Sequence, residues 1–262
     1  MNGLSGQNGL DGTTGRQLIF SPNNAKGIVN YTPYKIVTDN YVLTLSLYDH
    51  VAFKNILNSQ CKRSCSTPSI LVKHSLTQTK EFEKWEVCEY AKKIYLEPNA
   101  GGKSVNSEAI SANVLNHLYN ITDITTEMEI QYRWYNYKRC DYICELYGQR
   151  VGVSVTRAMG YPDPSNFTPE HAWKLLNKKI DGLLIAREGV IDKYNFNKCV
   201  LHVWCENEDI ADMIIDQYNI LREISGDEMN DIIVILSVTQ ENNAPFIYYN
   251  KKSDVLRKKY TI

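Results

Sequence analysis

The sequence predicts an α/β protein, a mixed sheet flanked by helices with a β-rich elaboration at its N-terminal side. Three observations carry this. From residue 106 to 239 the patterned segments run helix, hairpin, helix, strand, helix, strand. The last two strands, KCVLHVWC (198–205) and DIIVILSVT (231–239), are continuous apolar runs, as in strands buried on both faces. Ahead of them, alternation through Val42, Leu43, Leu45 and Leu47, then SILVKHSL, reads as short strands.

The elements follow in order. Residues 3–17, GLSGQNGLDGTTGRQ, carry glycine at 3, 6, 9, 12 and 15, a collagen-like Gly-X-Y repeat. Without proline it would make a weak triple helix, so a flexible tail (1–17) is one expectation and self-association through it another. Residues 18–79 form the β-rich elaboration, punctuated at Ser21-Pro22, Asn23-Asn24 and Thr67-Pro68. His50 and His74 within it stand alone and read as surface or packing residues. The main domain, 80–262, opens with a helix over 81–97 that ends at Pro98, and a second helix over 106–120 behind a Ser or Asn cap. EIQYRWYNYKRCDYICEL and RVGVSVTRAM are strand-like. Thr168-Pro169-Glu170 is a helix start, with a capping residue before proline at the first helical position. The helix over 208–224 joins the two apolar strands.

Composition narrows the function classes. With 262 residues, 43% hydrophobic and 23% charged, the chain can bury a large core. A net charge of -1 gives no global attraction to nucleic acid, so any polyanion site must be a local patch. No apolar run approaches the roughly 20 residues of a membrane span, and the N-terminus lacks a signal peptide's pattern. These features predict a soluble intracellular protein, cytoplasmic or nuclear, with no membrane partner. Abundant Asn, Ile, Lys and Tyr suit an AT-rich genome, such as that of a protist or large DNA virus. Seven cysteines without framework spacing suit reduced thiols. Cys140 and Cys144 on one strand would stand roughly 13 Å apart, too far to share a zinc ion.

The hairpin in CDYICELYGQRVGVSVTR (140–157) is specified in detail. A two-residue loop at Tyr147-Gly148 pairs Glu145 with Arg150, Ile143 with Gly152, Asp141 with Ser154 and Arg139 with Thr156. Tyr142, Cys144, Val151, Val153 and Val155 then share a core face. The other face carries Arg139, Asp141, Glu145, Arg150, Ser154 and Thr156, with a Glu145–Arg150 ion pair expected at the loop end.

This order of elements resembles the core of the PD-(D/E)XK nuclease superfamily, including archaeal-type Holliday junction resolvases. Members carry a glutamate on a helix, an aspartate on the first hairpin strand, Glu-x-Lys on the second, then a helix and a strand. The resemblance covers about residues 104–205 and implies a restriction-endonuclease-like sheet. It implies Glu108 and Asp141 as Mg²⁺ ligands, with Ser154 in the place of the metal-binding Glu and Thr156 in that of the Lys. Arg139, Arg157, Lys178 and Lys179 become candidate DNA or RNA contacts. A neutral hydroxyl is a poor Mg²⁺ ligand, so the resemblance implies an incomplete metal site. Three readings follow: a nuclease-like module that binds nucleic acid or serves a non-catalytic structural or regulatory role, an active Mg²⁺-dependent endonuclease with migrated catalytic residues, or an assembly or particle-associated protein using its Gly-X-Y tail. Each residue also has a plainer reading. Asp141 can be a solvated strand residue, Glu108 a helix-dipole partner, and Lys178 and Lys179 a solvated helix face.

Overall fold

The structure, a computed structural model, describes residues 33–58, 66–97, 104–239, 244–248 and 259–260. The Gly-X-Y stretch, the 18–32 part of the elaboration, and Cys61 and Cys65 lie outside the described residues.

Eight strands form one sheet: β1 (Pro33–Val37), β2 (Tyr41–Ser46), β3 (Ile70–Gln78), β4 (Ile121–Thr126), β5 (Tyr142–Leu146), β6 (Gln149–Ala158), β7 (Lys198–Cys205) and β8 (Ile232–Thr239), in the order β1-β2-β3-β8-β7-β6-β5-β4. The four central strands are parallel, and an antiparallel pair extends the sheet at each edge. β7 and β8 are buried along their whole length, as their predominantly apolar sequences favour. The mixed α/β class is therefore observed. β1–β3 are three of the eight strands of this same sheet, joined to it through the parallel pairing of β3 with β8, rather than a small sheet packed on it.

Helices cover both faces. α1 (Leu47–Asn58), α2 (Glu89–Leu96), α3 (Val105–Tyr119) and the short α6 (Pro245–Tyr248) share one core with Tyr142, Cys144, Val151, Val153 and Val155. α4 (Pro169–Gly189) and α5 (Glu208–Ser225) pack on the other face, over Ile143, Cys199, Leu201, Val234 and Leu236. α4 starts as read: Thr168 Oγ1 accepts from His171 N–H, and the His171 ring reaches back to the Thr168 N–H. Leu176, Ile180 and Leu183 give it one buried stripe.

Three segments differ from the sequence reading. Residues 47–58 are helix α1, where continued alternation suggested strand. The helix expected over 81–97 is broken: Phe82–Lys84 is a short 3-10 turn, Trp85 is extended, and the α-helix begins at Glu89. The break lets Trp85 bury fully against Tyr41 and Phe246, a gain that outweighs the helix propensity of a few residues. The strand expected through 129–146 shrinks to β5, because residues 127–141 form turns and loops and β4 takes the place beside β5.

The hairpin register is as read, from Leu146–Gln149 to Tyr142–Val153. Tyr147 and Gly148 both have positive φ, the geometry of a two-residue hairpin turn. The expected Glu145–Arg150 ion pair does not form. Arg150 donates to the Lys193 carbonyl at 2.6 Å, and Glu145 accepts from Thr122 on β4, since each has a nearer partner outside the hairpin. Cys140 and Cys144 sit in opposite cores, so a shared metal ion is ruled out by the sheet between them.

Candidate functional site

β6 runs several residues past the point where β5 begins. The ladder ends at Tyr142–Val153, with Asp141 N–H still donating to the Val153 carbonyl at 2.9 Å. Beyond it the Asp141 side chain replaces the missing strand. Its Oδ2 accepts from the Val155 N–H at 2.5 Å and from Ser154 Oγ at 3.1 Å. The predicted opposition of Asp141 and Ser154 is thus a direct hydrogen bond, and the carboxylate satisfies a backbone donor that would otherwise be unpaired.

Groups from both helical layers converge on this end of the sheet. Glu108, in the first turn of α3, accepts a hydrogen bond from Ser104 Oγ. Lys179, from the middle of α4, donates to the Val155 carbonyl at 3.2 Å. Burial and the neighbouring Asp141 carboxylate push Glu108 up to about 7, while Ser104 and Lys179 pull it down. Burial also raises Asp141, opposed first by Lys179 and then by the bonds from Val155 and Ser154. The turn after β4 adds a third acid. Glu127 is raised by burial and by Asp141, and lowered by Arg139 and Lys179. The Asp141 carboxylate therefore acts on both Glu108 and Glu127, raising each.

The expected site residues therefore divide. Glu108, Asp141, Ser154 and Lys179 meet at one place. Thr156 is on β6, beyond the ladder with β5 and paired with Val203 of β7, and Arg139 has left the strand: its guanidinium lies 5.6 Å from the centroid of the Tyr132 ring. The pairing of Arg139 with Thr156 is accordingly absent. Arg157 donates to the carbonyls of Tyr248 at 2.9 Å and Ile247 at 3.5 Å, which ties β6 to α6. Lys178 is on the exposed side of α4. Glu127 escaped the sequence reading because its position depends on β4, whose ITDITT sequence gives only a weak alternation. A useful signal would have been the acidic pair Glu127 and Glu129 immediately after that short run.

The donors are hard oxygens, the chemistry that Mg²⁺ requires. Among the described residues, no three His, Cys, Asp or Glu side chains stand close enough together to hold a metal ion. Asp141 and Glu108 are the residues that would hold one.

A second polar feature lies beneath α3. His74 Nε2, Ser237 Oγ and His202 Nε2 are linked at 2.6 Å each, and His202 Nδ1 meets Ser111 Oγ at 2.6 Å. Ser111 then meets the Tyr142 hydroxyl at 2.7 Å. All five side chains are buried. Burial drives His74 down to about 4 and His202 well below its ordinary range, so the chain is neutral. One proton per link suffices if every donor points the same way, and no charge is needed.

Fold and centre together define a mixed α/β protein with a partly buried carboxylate cluster flanked by lysine and arginine. No family profile and no solved structure matches the chain. Among curated proteins it is similar to the AAC-rich mRNA clone AAC4 protein of Dictyostelium discoideum, 38% identical over 127 residues. That match covers 46% of this chain and 18% of the relative, so the chain spans less than a fifth of that protein. Among the described residues, no helix is long and apolar enough to cross a membrane.

Proposed function

We propose that this domain is a nuclease-like module that binds nucleic acid at the Asp141 centre and carries an incomplete metal site. The observation that supports the reading is the convergence of Glu108 from α3, Asp141 at the start of β5, Ser154 on β6 and Lys179 on α4. The order α3, hairpin β5-β6, α4, β7 follows the helix, hairpin, helix, strand of the resemblance, with β4 inserted between α3 and the hairpin. Lys179 supplies the positive charge that Thr156 lacks, one helix away from the position the resemblance implied. Ser154 contributes a hydroxyl donor to Asp141 instead of a second carboxylate, which leaves the centre short of ligand charge.

A phosphate approaching this centre meets Lys179 and, nearby, Arg139, which offset the charge of Asp141 and Glu127. Mg²⁺, when held by Asp141 and Glu108, would polarise a phosphoryl oxygen and lower the pKa of a bound water. Glu108, with a pKa near 7, can hold or release a proton at neutral pH. The second reading, an active endonuclease with migrated residues, draws on Glu127, whose carboxyl lies within electrostatic reach of Asp141 and Lys179.

The test is a binding and cleavage assay on branched, duplex and single-stranded DNA with Mg²⁺ or Mn²⁺, comparing wild type with Asp141→Ala. The first reading predicts salt-dependent binding without cutting. Metal-dependent cutting abolished in Asp141→Ala would establish the second. Salt-insensitive binding, or none, would count against both.

A further inference from the structure

Residues 130–140, IQYRWYNYKRC, contain Arg133, Lys138 and Arg139 and no acid. The segment is a loop, and it is firmly braced. Tyr132 forms an isolated antiparallel bridge with Val190, Arg133 N–H donates to the Gly189 carbonyl at 2.8 Å, and Ile191 N–H donates to the Gln131 carbonyl at 3.1 Å. The Tyr132 hydroxyl accepts from the Cys140 N–H at 3.0 Å and so closes the base of the loop. Tyr137 lies flush on Gly189, where an added Cβ would stand 2.4 Å from the ring.

What this bracing holds outward is a pair of large aromatic rings. Trp134 is 68% exposed and Tyr135 91% exposed. Two adjacent aromatics left in water on a fixed loop, while Tyr132 and Tyr137 of the same loop are packed inward, present an unpartnered stacking surface. The exposed cations Lys138 and Arg139 follow after Asn136 and Tyr137, and Arg139 is also the group whose charge reaches Glu127 in the carboxylate centre. Arg133 of the loop is ion-paired with Asp192 at 3.1 Å, which leaves Lys138 and Arg139 as its exposed cations, and aromatic faces with exposed cations match the chemistry of an unpaired nucleotide: a flat base to stack and a phosphate to neutralise.

We infer that Trp134 and Tyr135 form a base-stacking platform for a single-stranded segment of nucleic acid, with Lys138 and Arg139 on its phosphates, leading to the Asp141 centre. The inference rests on the nucleic-acid reading above and sharpens it: the preferred ligand has unpaired bases, because a base inside a duplex presents no free face. A protein partner would use the same rings through shape and burial, with little dependence on salt.

The experiment titrates the full chain with a single-stranded oligothymidylate of about 20 nucleotides and with a duplex of equal length, following tryptophan emission and anisotropy of the DNA. Of the four tryptophans, Trp85 and Trp204 are fully buried and Trp173 is partly buried on α4, so loss of the signal in Trp134→Phe assigns it to the exposed Trp134. Quenching by the single strand is expected, with weaker binding of the duplex. Trp134→Ala/Tyr135→Ala should weaken single-strand binding about tenfold or more, and Trp134→Phe/Tyr135→Phe should restore most of it. Circular dichroism and thermal unfolding of the Ala variant should match wild type, since both rings are exposed. Equal single-strand affinity of wild type and the Ala variant would overturn the platform and leave the nucleic-acid reading intact. Equal loss on single strand and duplex would also overturn it. Absence of any DNA binding by the wild type would overturn the reading and the platform together.

Discussion

Two groups of buried polar side chains lie within one helix of each other, and they solve burial in opposite ways. The chain His74–Ser237–His202–Ser111–Tyr142 is neutral and hydrogen-bonded at every link. The centre at Glu108, Glu127 and Asp141 collects like charges that Lys179, Arg139 and Arg157 offset. The first arrangement stabilises the sheet, because each buried group has a partner and none carries a charge. The second works against the fold at neutral pH, since burial and the Asp141 charge disfavour ionisation of Glu108 and Glu127. A group retained at a cost to stability is a functional candidate, and this difference distinguishes the carboxylate centre from the histidine chain.

The two regions also respond to pH with opposite sign. Glu108 has a raised folded-state pKa, so the native state binds the proton more tightly than the unfolded chain. Its contribution falls as pH rises from about 4.5 to about 7. His74 and His202 have lowered pKa values, so the unfolded chain takes up protons that the native state refuses. Their contribution falls as pH drops below about 6.5 towards 4.

The largest expected effect comes from breaking the neutral chain. His202→Ala removes a fully buried ring and the partners of Ser111 and Ser237, and should destabilise the protein by about 3–5 kcal/mol in denaturant unfolding. A loss below about 1 kcal/mol would mean that the chain is not the stabilising region described.

Glu108→Gln should act in the opposite direction. It removes one of the like charges and should raise stability at pH 8 by up to about 3 kcal/mol. The gain should vanish near pH 4, where wild-type Glu108 is already protonated. Unfolding measured from pH 4 to 8 should then lose the part of the falling slope that Glu108 contributes, while the rising slope of the histidines remains. An unchanged pH profile would break the comparison.

Lys179→Met is the smallest of the three. It takes away positive charge and the bond to the Val155 carbonyl, and should cost about 1–2 kcal/mol at pH 8 and less at pH 5. Equal losses at both values would make Lys179 a packing residue rather than the counter-charge of the centre.

How much of this was legible in the sequence depends on the range of the interaction. The hairpin register could be read because a one-residue slip would expose Val151, Val153 and Val155, and α4 because Thr168 and Pro169 mark its start locally. Asp141 opposite Ser154 followed from that register. Lys179 was one of several lysines on α4, and only packing of α4 on β6 singles it out from Lys178. Glu127 depended on β4, and helix α1 on contacts with β2 and β3 that its own pattern does not declare. His74 read as a solitary histidine because its partner Ser237 is 163 residues away. Local periodicity specified the elements, whereas pairing between distant strands created both polar regions.

The most direct measurement of the central claim is DNA affinity of wild type and Asp141→Asn, in chelator and in Mg²⁺ at fixed salt. If phosphate is received at this centre, Asp141→Asn relieves charge repulsion and should bind about fivefold tighter in chelator, from roughly 1 kcal/mol of Coulomb energy. Mg²⁺ should then tighten wild type more than the variant. Affinities that are the same for both proteins, with and without Mg²⁺, would contradict the assignment of the Asp141 centre as the nucleic-acid site.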